Sequence, residues 1–231
     1  MILNNLKNKY FENAYSKLLN KLIKKEFNNY KYFIDTSKID GWGAEYNSYF
    51  NNNKKIINSI TATNESDRYE IETYEYYAGY VGEKMNRILR QEQFILFPEV
   101  FEPRIKVLTN SLNKFKLSDN VIVIRRIPNI KFYQKVKKGE IIQEKGFLST
   151  SLNLFSRLDY QSEYSPIENE VLMILKIPKG TNACYIEQIS KRKEYELLIQ
   201  RNQKIKIIMN RKILNNRIVL GELYFKKKGR N

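Results

Sequence analysis

The stretch NVIVIRRIP, residues 120–128, marks the point where the chain changes period. It is a short β-branched run ending in two arginines, Arg125 and Arg126, and it reads as a strand. The sequence before it reads as helix. Ile2, Leu3, Leu6, Tyr10, Phe11, Tyr15, Leu18, Leu19, Leu22 and Ile23 recur at three- and four-residue spacing, the amphipathic period. DTSKIDGWG (35–43) breaks that pattern and brings the sole Trp, and a short second helix is expected over 43–58. Ser66 is a candidate helix cap, although Tyr69 stands where a capping box needs an acid. Gly79 and Gly82 are expected to mark a turn between two helices, and residues 98–114 form a further helix with Pro98 at its start.

Strands follow. GFLSTSLN (146–153), NEVLMILKIP (169–178), ACYIEQI (183–189), KEYELLIQ (193–200), KIKIIMN (204–210) and RIVLGELYFKK (217–227) are separated by loops that carry Gly139, Gly146 and Gly180. KEYELLIQ and KIKIIMN, joined by RNQ, read as a hairpin. Helices first and strands second predict an α+β fold with a largely antiparallel or mixed sheet. With no internal repeat or low-complexity linker, one domain over 1–231 is expected, mainly helical over 1–115 and mainly β over 116–231.

Composition narrows the chemistry. The chain has one cysteine, Cys184, and no histidine, which excludes an internal disulfide, Cys–His metal sites and Ser–His or Cys–His catalysis. Cys184 sits in an apolar stretch and reads as a buried, inert thiol. Any chemistry falls to carboxylates, Arg, Lys, hydroxyls or a cofactor. The net charge of +16 suits polyanions, and a basic non-enzymatic protein that binds nucleic acid or an acidic partner is the alternative reading. The basic residues are spread along the whole chain, so no stable nucleic-acid complex is expected. No stretch approaches the roughly 18–20 apolar residues of a membrane span. The N-terminus lacks the apolar core and cleavage site of a signal peptide. The basic amphipathic helix there is expected to pack on its own domain rather than on a membrane.

The polar residues that interrupt the strands belong together. Arg125 and Arg126 end the first strand, Ser149, Thr150 and Ser151 occupy the second, and Glu194 and Glu196 open the fifth. Strand alternation places residues i and i+2 on one side, so the two carboxylates are expected to share a face. An arginine at a strand end makes bidentate bonds to phosphate or carboxylate. A serine beside a glutamate orients it, and two carboxylates on one face divide labour between a developing cation and a proton.

The ordered set VIVIRRIP, GEIIQEKGFLSTSLN and KEYELLIQ, preceded by IETYEYYAGYVGEKMNRILR, resembles the bacterial mono-ADP-ribosyltransferases of the Arg–Ser–Glu group. That group includes the Rho-modifying exoenzymes and the enzymatic components of actin-modifying binary toxins. The likeness covers about residues 60–226. It implies an ADP-ribosyltransferase-like fold with a two-sheet β core, NAD as substrate and no metal. By this resemblance Arg125 binds the NAD pyrophosphate and Arg126 also touches phosphate. Ser149 hydrogen-bonds the catalytic glutamate, while Thr150 and Ser151 shape the nicotinamide pocket. Glu196 is the catalytic glutamate, which stabilises oxocarbenium character on the ribose. Glu194 stands where family members that modify arginine have Glu and those that modify asparagine have Gln, so arginine is the expected acceptor. Tyr77, Tyr80 and Asn86 lie on the tyrosine-rich segment that helps close over NAD, with core packing an equal reading for them.

The resemblance further implies a toxin or effector, secreted or delivered into a host cytosol, acting as a monomer on a protein that is first guessed to be actin. Two departures stand out. Many family members have an aromatic residue where this chain has Lys191, and the length holds one transferase-sized unit without the duplicate domain of the binary toxins.

Overall fold

A computed structural model describes residues 2–46, 65–92, 96–128, 130–155, 169–190 and 192–224. Helix α1 (Ile2–Lys25) buries Phe11, Tyr15, Leu18, Leu19 and Leu22 along one stripe. The stripe packs on β1 (Val121–Ile127), β4 (Val171–Ile177) and β8 (Asn216–Leu223) through Ile122, Ile124, Leu172, Ile174, Ile218 and Leu220. This basic helix therefore lies on its own sheet. Lys24 and Lys25 close its last turn, where the helix dipole favours cations.

Helix α2 (Ser37–Tyr46) starts earlier than the sequence suggested, and the expected remainder, 47–58, lies outside the described residues. Asp35 sets the start by accepting hydrogen bonds from the Ser37 N–H (3.0 Å) and Oγ (2.8 Å). Of the two glycines in that stretch, Gly41 has open space around it and Gly43 serves close packing. A Cβ on Gly43 would lie 2.0 Å from the Tyr185 ring, whose hydroxyl donates to Asp40 across the same contact.

Helices α3 (Glu65–Tyr76) and α4 (Gly82–Arg90) are joined by a π-helical segment, Tyr77–Val81, rather than by a turn. Its backbone departs from helical angles at Gly79 (φ −74°, ψ −147°). Ser66 falls inside α3, past its first residue, and so is not the cap. Pro98–Val100 form a 3-10 turn, and α5 (Glu102–Leu112) follows. The α3–α5 group buries Ile71, Tyr74, Met85, Leu108 and Leu112 against Phe147, Cys184 and Leu198.

Short helix α6 (Ile130–Lys135) and strand β2 (Ile141–Glu144) precede β3 (Leu148–Ser151); β5 (Ala183–Tyr185), helix α7 (Glu187–Ser190), β6 (Glu196–Ile199) and β7 (Gln203–Ile213) complete the elements. The strands form one eight-stranded sheet in the order β2-β7-β8-β4-β1-β3-β6-β5. Among the described strands, β4 and β8 are the one parallel pair. The expected mixed, largely antiparallel core is present, its strands joined as one hydrogen-bonded sheet. Its two parts meet at β1 and β3 through a single registered pair, Ile124 with Ser151. β1 is apolar without alternation because both its faces are covered, Val121 and Val123 in one core and Ile122 and Ile124 in another.

The hairpin expected between KEYELLIQ and KIKIIMN does not form. β6 pairs with β3 and β5, whereas β7 pairs with β2 and β8. The hairpin is β7–β8, turned at Leu214 (φ 54°) with Ile213 opposite Asn216. No helix among the described residues is long and apolar enough to cross a membrane.

Candidate active site

The ends of β1, β3 and β6, helix α4 and the α6–β2 segment surround a cavity of about 1020 Å³. Glu196, Glu194, Ser149, Arg125, Arg126, Tyr77 and Asn86 all line it. The three separated sequence motifs therefore converge on one wall, because β1, β3 and β6 are adjacent in the sheet.

Glu196 is the first residue of β6 and only 4% exposed. Burial pushes its carboxyl up to about 7; a hydrogen bond with Ser149 and the charge of Arg192 pull it down, while Glu194 and Glu187 push it further up. Burial therefore outranks the repulsion between the two paired carboxylates. The Glu196 N–H donates to Glu187 Oε2 at 3.3 Å, which ties the strand start to α7.

Glu194 is not on the strand. It stands between two residues in the left-handed region, Lys193 (φ 56°) and Tyr195 (φ 52°). Strand alternation is therefore not what brings the carboxylates together. The turn is pinned from β3: Ser151 Oγ donates to the Glu194 carbonyl (2.7 Å), and the Leu152 N–H donates to the Tyr195 carbonyl (3.0 Å). Arg192 Nη1 lies 3.7 Å from Glu194 Oε1. Lys191 is outside the described residues.

The expected pocket-shaping residues Thr150 and Ser151 are not among the cavity's lining residues. Thr150 is buried and its hydroxyl donates to the Leu197 carbonyl (2.6 Å), clamping β3 to β6. Ser151 holds the Glu194 turn instead. Arg126, expected on phosphate, forms a two-point ion pair with the buried carboxylate of Glu170. Two of its nitrogens are thus held within the protein, while Arg126 still lines the cavity.

Arg125 is the contrasting case. Its Nη1 is buried, makes no hydrogen bond, and sits 3.9 Å from Glu144 Oε2. A buried donor left unsatisfied costs about 1–3 kcal/mol, which an anionic ligand in the cavity would relieve. Glu144 also receives Arg90 through Nε (2.8 Å) and Nη2 (3.2 Å), and accepts the Gly146 N–H (2.8 Å). Gly146 is required there, since a Cβ would lie 2.8 Å from Asn86 Oδ1. Sequence reading missed Arg87, Arg90, Glu144 and Arg192 on the cavity wall. Arg87 and Arg90 carried a signal, a three-residue spacing that places both on one face of α4.

Asn86 is buried and spans the tyrosine-rich segment: its Nδ2 donates to Tyr77 Oη (2.9 Å) and its Oδ1 accepts the Phe147 N–H (2.7 Å). Tyr77 stacks edge-on to Phe147 at 5.7 Å. Both residues thus brace the cavity wall they line. Tyr80 shares the π-helical segment, but its side chain lies outside the described residues. Cys184 is buried beside this wall, and burial raises its thiol well above the ordinary range. The described residues contain no cluster of three potential metal ligands.

The buried Glu196 has a consequence for stability. Its folded pKa lies above the ordinary 4.5, so folding disfavours its ionised form. Below about pH 4.5 both states are neutral and the residue costs nothing; the penalty grows up to about pH 7 and is then constant, at up to about 3 kcal/mol. Glu196→Gln removes it. The variant is expected to melt close to wild type at pH 4.5 and about 5 °C or more above it at pH 8. Equal melting temperatures at pH 8 would refute the buried charge.

The fold is that of ADP-ribosyltransferases. Plx2a, an ADP-ribosyltransferase toxin from Paenibacillus larvae, superposes with a TM-score of 0.62 over 85% of this chain and 100% of its own, at 25% identity. The Clostridium limosum C3 exoenzyme superposes with a TM-score of 0.64 over 85% and 98%, at 19% identity. In sequence, the chain is 32% identical over 123 residues to the NAD(+)–arginine ADP-ribosyltransferase EFV of Enterococcus faecalis. That match takes in 52% of this chain but only 25% of the relative's length. Residues 39–228 match the ADP-ribosyltransferase exoenzyme family, and the chain belongs to it. Enzymes of this family use NAD as substrate.

Proposed function

We propose that the chain is an NAD-dependent mono-ADP-ribosyltransferase that modifies an arginine of a target protein. The observation that supports this best is the shared wall on which Glu196, tied to Ser149, and Glu194 face a cavity bearing the unsatisfied Arg125. Arg125 holds the diphosphate. Glu196 stabilises the positive charge that builds on the ribose as nicotinamide leaves. Glu194 orients the acceptor guanidinium and withdraws a proton from it. Thr150 and Ser151 act through the backbone, fixing β6 and the Glu194 turn. The NAD(+)–arginine specificity named for the E. faecalis relative favours an arginine acceptor. With water in place of the acceptor, the same site hydrolyses NAD. The setting we propose is a toxin or effector that is secreted or delivered to a host cell and acts as a monomer, with actin the first protein target to try.

Labelled NAD incubated with agmatine and with purified actin tests this reading. Transfer to agmatine is expected. NAD consumption without transfer overturns the arginine acceptor, and transfer to agmatine but not to actin overturns actin alone. Arg125→Met is expected to raise the KM for NAD roughly 10- to 100-fold, the worth of a charge-assisted hydrogen bond, with a smaller change in kcat. An unchanged KM would place the diphosphate elsewhere.

A further inference from the structure

The basic segment before the paired glutamates has no role in the reaction as described so far. Arg192 lines the cavity and is 40% exposed. Its Nη1 rests 3.7 Å from Glu194 Oε1, the carboxylate proposed to receive an acceptor guanidinium. Its charge also reaches Glu196, the ribose-side carboxylate. A guanidinium of the chain itself therefore sits where an incoming arginine is required. The turn that follows it is pinned, because Ser151 and Leu152 hold the carbonyls of Glu194 and Tyr195, and Tyr195 packs against the sheet core. Holding a reacting group in place makes its encounter unimolecular, with a large gain in effective concentration.

We propose that Arg192 is a self-modification site: the enzyme transfers ADP-ribose from NAD to its own Arg192. This rests on the arginine-transferase reading of the same site. In the transfer, the bond between ribose C1′ and the nicotinamide nitrogen breaks, and its electron pair leaves with neutral nicotinamide. A guanidino nitrogen of Arg192 forms the new bond to C1′, and its proton passes to Glu194 and then to water. The attached diphosphate then lies in front of Glu194, so self-modification limits further transfer to other arginines.

The test is peptide mapping by mass spectrometry after incubating the full chain with NAD, with agmatine labelling measured in a parallel reaction. A single ADP-ribose on the peptide bearing Arg192 is expected. Its rate constant should not depend on enzyme concentration, and it should be absent in Glu196→Gln and in Arg192→Lys. Labelled agmatine with no adduct on Arg192, an adduct on other residues only, or a rate constant that rises with enzyme concentration would overturn the proposal while leaving the arginine-transferase reading standing. Failure of both labellings would overturn the two together.

Discussion

Glu196→Gln is expected to lower NAD hydrolysis and transfer to arginine together, by about 10³-fold or more, with little change in NAD affinity. Glutamine keeps the size of the side chain and a hydrogen-bond acceptor for Ser149, but it has no charge to set against the oxocarbenium ion. A charge aimed at a developing charge inside a water-poor site is worth several kcal/mol to the transition state and little to the ground state. About 10³-fold corresponds to about 4 kcal/mol. The variant that loses activity is also the one expected to gain stability at pH 8, because the same buried charge is unfavourable to the fold. Inactivity together with a raised melting temperature separates loss of chemistry from loss of structure. Steady-state kinetics with a free-nicotinamide assay reads the effect; full hydrolysis by Glu196→Gln would remove this residue from the mechanism.

The second large effect is a split between two activities. Glu194→Gln is expected to lose arginine transfer by about 10²-fold while retaining NAD hydrolysis, as general-base help is typically worth that much. Arginine is a poor nucleophile while its guanidinium stays protonated, and water needs no such orientation. Glu194 is about one-third exposed and is not part of β6, so the substitution leaves the strand and its buried Glu196 in place. The ratio of labelled agmatine to free nicotinamide measures the split. A parallel loss of both activities would mean that Glu194 serves NAD rather than the acceptor.

Much of this architecture is legible in the sequence, and the parts that are not share a cause. Helices and strands follow their periods, so α1, β1 and β4 lie close to where the apolar patterns put them. The convergence of Arg125, Ser149 and Glu196 depends on the adjacency of β1, β3 and β6, which the family resemblance implies and strand positions alone do not. Partner choice was not legible. The RNQ link looks like a hairpin loop, yet β6 and β7 belong to different parts of the sheet, because local pattern carries no information on long-range pairing. β2 gives no strand signal in the sequence because it is a four-residue edge strand with a half-exposed, alternating pattern. Glu194 was placed on a strand because nothing in Lys193 or Tyr195 signals positive φ, which non-glycine residues adopt uncommonly. Arg126 and Arg125 are neighbours in sequence, and only the buried Glu170, forty-four residues away, separates the committed guanidinium from the unsatisfied one.

The wall bearing Glu194 and Glu196 is proposed to join ADP-ribose to arginine. Its most direct test is identification of the acceptor bond, by fragmenting the products formed from NAD and an equimolar set of arginine, asparagine and cysteine peptides. ADP-ribose is expected on the arginine peptide alone, with equivalent free nicotinamide, and no product from Glu196→Gln. ADP-ribose on asparagine or cysteine, or no product while NAD is consumed, would contradict it.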